Sequence, residues 1–292
     1  MRVDVADRPV FAAACGPDPR AAKRTIVLVH GAGLAPVFWT GQLAALADID
    51  TAVVAPALPG HGRPGSSLAS EGPAPATIED YATWLTAFLD ALGVERAVLV
   101  GHSMGALVAL ETARAHPERV AGVAALGAAS RMPVHPRLLA DASERPEAAI
   151  ESILAWGFAP RQAGRPPGIA MHELARRILA GTAEGVLAGD LAACDRYAGL
   201  ANGAAAITVP ALVATARRDR MTPAKAGRAL ADALPEGGLV EFDQLGHMAP
   251  LEAPAAIVQV LRRWLPRSST VAAETASAAR SDSPARASSA GA

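Results

Sequence analysis

The sequence predicts an α/β fold, a mostly parallel sheet with helices on both faces. Three observations predict it. Short apolar, β-branched runs alternate with longer helical patterns along most of the 292 residues. One of those runs leads through Gly101-His102-Ser103-Met104-Gly105 straight into a helical stretch, the strand–turn–helix order of a parallel α/β unit. A chain that is 51% hydrophobic with a formal charge of −1 has the composition for one large core.

The elements follow in order. Arg2 to Ala14 reads as an antiparallel hairpin at one edge of the sheet. Thr25 to Val29 is a buried strand, followed by a helix over about Val37 to Ala47, and Thr51 to Ala55 is the next strand. Thr77-Ile78-Glu79-Asp80 has the pattern of an acidic capping box that opens a helix to about Leu92. Ala97 to Val100 is a strand, and the helix from Ala106 to Ala115 is stopped by Pro117. Strands are also expected at Val120 to Leu126, Ala211 to Ala216 and Leu239 to Phe242, with a last helix from about Pro254 to Leu265. Counting the hairpin, that makes eight strands.

One interval departs from the alternation. Residues 131–206 look helical, with Pro- and Gly-rich breaks such as Arg165-Pro166-Pro167-Gly168. Some 75 residues of helix between two strands make a cap rather than a loop. The expected organisation is a core of residues 1–130 and 207–266, a helical cap of 131–206 before the penultimate strand, and a Ser/Ala-rich disordered tail of 267–292.

Composition excludes several function classes. Near-neutral charge offers no electrostatic footprint for nucleic acid or an anionic membrane surface. Cys15 and Cys194 lie far apart without metal-ligand spacing, so neither a disulfide framework nor a zinc site is expected. Acids at the N-terminus argue against a signal peptide, and nothing approaches the roughly 18 apolar residues of a membrane helix. A cytoplasmic protein with no metal and no organic cofactor is expected; oligomeric state is not readable.

Chemistry concentrates on four loops that each follow a strand. Gly101 to Gly105 matches G-x-S-x-G, which holds Ser103 clear of its backbone while the following helix aims its N-terminal N–H groups at developing negative charge. His30-Gly31-Ala32-Gly33 can bring a backbone N–H beside that turn, which with the Met104 N–H makes an oxyanion hole. Asp219 follows the strand Ala211–Ala216, and His247 follows the last strand within Leu245-Gly246-His247-Met248-Ala249-Pro250. The order Ser103, Asp219, His247 is that of a nucleophile-elbow enzyme, and parallel strands bring all three to one edge. Asp243 is a second candidate for the acid, and Asp195 is expected to tie the cap to the core. Candidate substrate contacts are His30, Gly31, Gly33, His102, Trp156 and Phe158, with packing against neighbouring loops the favoured role for the two histidines. Met132, His135, Met171, His172 and Tyr197 join them as possible cavity residues, and Arg131 or Arg137 as partners for a substrate carboxylate.

With these motifs, about Val10 to Pro266 resembles the α/β-hydrolase family, in its esterase, lactonase and haloperoxidase-like branch. Leu58-Pro59-Gly60-His61-Gly62 is similar to the family's D-x-P-G-H-G-x-S loop, with Ala57 where relatives carry aspartate. The resemblance implies the α/β-hydrolase fold, oxyanion donors at Ala32 and Met104, a helical cap at 131–206, and no metal or cofactor. The expected function is a serine hydrolase acting on a small-molecule ester or lactone. Two alternatives stand beside it: an acyltransferase or perhydrolase using the same acyl-enzyme, and a non-catalytic binding protein. A dehalogenase would need a carboxylate where Ser103 stands.

Overall fold

The computed structural model describes residues 1–62, 68–70, 72–160 and 169–265. It opens on an antiparallel hairpin of β1 (Arg2–Val5) and β2 (Arg8–Cys15). The turn places Ala6 and Asp7 at φ of 48° and 62°; two consecutive positive φ values give a hairpin turn the twist its strands need. β3 (Arg24–Val29) leads through a short 3₁₀ helix, Pro36–Trp39, into α1 (Thr40–Leu46). The sequence predicts one continuous helix here. Pro36 at the start of the turn, with no side-chain cap, tightens the first turn instead.

β4 (Thr51–Pro56), α2 (Ile78–Leu92), β5 (Ala97–His102), α3 (Met104–Ala115) and β6 (Val120–Leu126) complete the first half. Thr77 caps α2: its hydroxyl oxygen accepts the Asp80 N–H at 3.1 Å while its O–H donates to the Asp80 carboxylate at 2.7 Å. The acid of the capping box therefore answers the cap hydroxyl. Between β6 and β7 (Ala211–Ala216) come α4 (Pro136–Glu144), α5 (Pro146–Gly157), α6 (Ile169–Ala180), α7 (Val186–Arg196) and the short α8 (Gly199–Gly203). Among the described residues of this insertion there is no strand. The described residues end in α9 (Ala224–Ala233), β8 (Gly237–Phe242), α10 (Ala249–Glu252) and α11 (Pro254–Trp264). The breaks at Arg165–Gly168 and the tail at 267–292 lie outside the described residues.

Eight strands form one sheet in the order β1-β2-β4-β3-β5-β6-β7-β8. β1 pairs antiparallel with β2, and β2 antiparallel with β4; every pairing from β4 to β8 is parallel. The central strands alternate between two buried clusters, as the period of two requires. Val27 and Val29 of β3 pack with Tyr81, Leu85 and Phe88 of α2 and Leu107 and Leu110 of α3. Ile26 and Leu28 turn the other way, toward Phe38, Trp39, Leu46, Ile257 and Leu261. Leu138, Ile153, Leu154, Leu179 and Leu191 of the inserted helices belong to that second cluster, so the insertion shares its core with the sheet. No helix among the described residues is long and apolar enough to cross a membrane.

Candidate active site

Ser103 stands between β5 and α3 at φ 54°, ψ −121°, a conformation that side chains other than glycine adopt at a cost. Hydrogen bonds on both sides hold it there. Its N–H donates to the Leu126 carbonyl of β6 at 2.9 Å, and its carbonyl accepts the N–H groups of Ala106 and Leu107 at 2.9 and 3.2 Å. The flanking glycines are required by close approach: a Cβ on Gly101 would overlap the Gly105 carbonyl, and one on Gly105 the carbonyls of Val29 and His30. The elbow is thus wedged between α3 and the end of β3. Met104 is the first residue of α3, so its N–H has no acceptor within the helix.

The loop after β3 comes to meet it. Leu34 N–H closes a turn on the Gly31 carbonyl at 3.1 Å, and Gly33 takes φ 62°, a left-handed position suited to glycine. Gly31 and Ala32 line the same cavity as Ser103.

Asp219 ends the turn after β7 and is buried. One carboxylate oxygen accepts the N–H groups of Met221 and Thr222 at 2.8 and 2.7 Å. The other faces His247 Nδ1 at 2.8 Å. Burial alone would raise its pKa; the His247 interaction and the two backbone N–H groups outweigh that and hold it below the usual carboxylate range. His247 is also buried, its loop fixed by Glu252, which accepts the Gly246 and Ala159 N–H groups at 2.9 and 3.1 Å. Asp243 is exposed and pairs with Arg217 at 3.2 Å, so it is not the acid beside His247.

A model of the alpha/beta hydrolase family matches residues 26–260. The chain belongs to that family. Among curated relatives, pimeloyl-[acyl-carrier protein] methyl ester esterase of Aromatoleum aromaticum is 30% identical over 248 residues, 78% of this chain and 93% of that protein. A second match is the dihydrolipoyllysine-residue acetyltransferase component of the acetoin cleaving system of Cupriavidus necator. It is 41% identical over 100 residues, and the chain spans only 25% of that relative's length. Among solved structures, the enol-lactonase from Burkholderia xenovorans superimposes with a TM-score of 0.80 at 27% identity, covering 91% of this chain and 99% of that one.

Ser103 and His247 open onto one cavity of about 600 Å³, lined largely by apolar side chains. Of the expected contacts, Gly31, His102, Trp156, Met132 and His135 line it. His30, Gly33 and Phe158 do not. His30 is buried behind the loop, accepting the Leu58 N–H at 3.2 Å and donating to the Gly31 carbonyl at 3.0 Å. The Gly33 N–H points to Asp190, and Phe158 rests on His172 with ring centroids 5.1 Å apart. Tyr197 is likewise absent from the cavity, its hydroxyl donating to buried Glu111 at 2.6 Å. Arg137 pairs with Asp141; the arginine at the cavity is Arg220, which donates to the Ala155 carbonyl. Asp195 holds the Val134 N–H at 2.9 Å, a bond inside the insertion rather than to the core.

His102 has a second task. Its Nε2–H donates to the His247 carbonyl at 2.9 Å, tying the elbow to the histidine loop. Burial and the neighbouring His247 hold its pKa down to about 3, so it stays neutral. The loop Leu58–Gly62, which lacks the family's aspartate at Ala57, is closed by its own turn, His61 N–H to the Leu58 carbonyl at 2.9 Å, and by Ser70 Oγ–H to the Ala57 carbonyl at 2.5 Å. Among the described residues no group of three or more His, Cys, Asp or Glu is arranged to hold a metal ion.

The residue that sequence reasoning missed is Asp190. It is fully buried on α7 and accepts hydrogen bonds from three separate parts of the core. The sequence shows two acids five residues apart in Gly189-Asp190-Leu191-Ala192-Ala193-Cys194-Asp195, and only apolar spacing along the helix could have separated them.

Proposed function

We propose that the chain is a serine hydrolase that cleaves carboxylic esters or lactones of a small to medium, uncharged acyl group through an acyl-enzyme on Ser103. The observation that carries this reading is the buried Asp219–His247 contact of 2.8 Å beside a cavity that Ser103 and His247 share. Asp219 accepts a hydrogen bond from His247 Nδ1–H, which keeps that proton on Nδ1 and leaves Nε2 as an acceptor. Nε2 removes the Ser103 proton as Oγ bonds to the acyl carbon. The carbonyl electrons move onto oxygen, stabilised by the N–H groups of Ala32 and Met104. Collapse breaks the bond to the alcohol oxygen, which leaves with the proton held on His247. Water, deprotonated by the same nitrogen, then releases the acid. The apolar lining, with Leu34, Val134, Ile153 and Trp156, supports an uncharged acyl chain.

Turnover of p-nitrophenyl esters from acetyl to long acyl chains, with Ser103→Ala alongside, tests the reading. Activity peaking at one chain length and absent from the variant is expected. Equal activity in Ser103→Ala overturns it.

A further inference from the structure

We infer that Asp190, paired with His61, is a positioning residue that holds the oxyanion loop in its working geometry from the inserted helix α7. This inference rests on the acyl-enzyme reading. Asp190 and His61 are both fully buried. One Asp190 oxygen accepts the Gly33 N–H at 2.8 Å and faces His61 Nε2 at 2.7 Å; the other accepts the Tyr81 hydroxyl at 2.7 Å. Gly33 directly follows Ala32, the donor assigned to the oxyanion. The insertion grips the other side of the same residue, because Thr182 Oγ1–H donates to the Gly33 carbonyl at 2.8 Å. Both peptide groups of Gly33 are therefore oriented by the insertion, and with them the turn that aims Ala32.

The charge state of the pair follows from its partners. His61 Nδ1 lies 3.1 Å from the Pro59 carbonyl, and Nε2 faces the Asp190 carboxylate; both are acceptors, so both ring nitrogens carry hydrogen and the ring is an imidazolium. Burial works against that charge, but Asp190 and the backbone carbonyl outweigh it and raise the His61 pKa. His30, 4.8 Å away between ring centroids, stays neutral because burial and the His61 charge push its pKa down. The outcome is a compensated ion pair under the oxyanion loop, separate from Asp219 and His247.

Asp190→Asn separates positioning from bulk. Its amide nitrogen in place of the oxygen suits a neutral His61 but leaves the Gly33 N–H without an acceptor. The flipped amide keeps Gly33 but faces a buried imidazolium with no counter-charge. Either way the charge-assisted grip on the Gly33 N–H is lost, outright in the first arrangement and by removal of the carboxylate charge in the second. The assay is kcat per active site for the best p-nitrophenyl ester, with sites counted by fluorophosphonate labelling of Ser103, beside the inhibition constant of a boronic acid that forms a tetrahedral adduct. The expected result is a fall of at least about tenfold in kcat per labelled site, KM within about threefold, and a matching rise in the boronate constant. An unchanged kcat per site, with fewer sites labelled, is the result of a merely structural role and overturns the inference. So does a rise in KM alone. If Asp190→Asn gives no cooperative melt, Thr182→Ala decides: about a threefold fall in kcat at constant KM is expected, and wild-type kcat overturns the inference. Failure of fluorophosphonate to label Ser103 in the wild type refutes the acyl-enzyme reading itself, a result distinct from any of these.

Discussion

Replacing Asp219 by asparagine tests the site through one proton. One Asp219 oxygen already serves two backbone donors, the N–H groups of Met221 and Thr222 at 2.8 and 2.7 Å. The asparagine carbonyl takes that place, so its amide nitrogen must face His247 where a carboxylate oxygen stood. An N–H there requires His247 Nδ1 to be the acceptor, which puts the ring proton on Nε2, the atom that receives the Ser103 proton in the proposed mechanism. Restoring the productive tautomer means flipping the amide and leaving both backbone donors without acceptors. At about 1–3 kcal/mol for each buried unsatisfied donor, the flip costs about 2–6 kcal/mol. With tenfold in rate for each 1.36 kcal/mol, kcat is expected to fall between about thirtyfold and about 3 × 10⁴-fold, with KM little changed. Steady-state ester hydrolysis across neutral to alkaline pH measures it. A kcat within about fivefold of wild type refutes the assignment of Asp219 as the group that sets the His247 tautomer.

Three further expectations follow from the same contacts. Ser103→Gly relieves the positive φ at a small cost in unfolded-chain entropy, so it is expected to be more stable than Ser103→Ala by about 1 kcal/mol; identical melting of the two variants contradicts the strain. Tyr197→Phe removes the 2.6 Å donor to Glu111, a carboxylate only 2% exposed, and is expected to lower unfolding free energy by about 1.5–3 kcal/mol with the denaturant m-value unchanged; a loss under about 0.5 kcal/mol rules that role out. The His61 pKa is raised on folding, so its contribution to stability is complete below the unfolded value of about 6.5 and is lost as pH rises through the folded value. Lowered Asp219 works at the other end, contributing above an unfolded value of about 3.9 and fading as pH falls through the folded one. His61→Gln is therefore expected to flatten the alkaline arm of the melting profile while leaving the acid arm in place, and an unchanged alkaline slope argues against a charged His61.

Much of this was legible because the informative features are local. β6 and β7 begin and end where their apolar runs do, the elbow has a glycine two residues to either side of its serine, the Asp219 turn leads to Pro223, and His247 directly follows Gly246. Chain order alone placed Ser103, Asp219 and His247 at one edge. β8 was harder: it starts at Gly237, two residues before the apolar run, and its first half is exposed because it is an edge strand. Position beside a motif misled for Gly33 and His30. Neighbouring loop residues point in opposite directions, and these two face Asp190 and Leu58 instead of the cavity. Asp190 was invisible for a different reason. Its partners lie 157, 129 and 109 residues away, and no local pattern encodes a contact of that range.

The sheet order has a consequence for how activity reports on the whole chain. β5, which leads into Ser103, lies between β3 and β6, so its immediate neighbours are all present once residue 126 has been made. Asp219 and His247 arrive only after the insertion, at the ends of the last two strands. Any break in the polypeptide within 131–206 puts Ser103, Ala32 and Met104 on one piece and Asp219 and His247 on the other. Under the proposed mechanism, turnover by such a nicked protein would count reassociated pairs of fragments, which makes ester hydrolysis a chemical reporter of a six-stranded and a two-stranded piece finding each other.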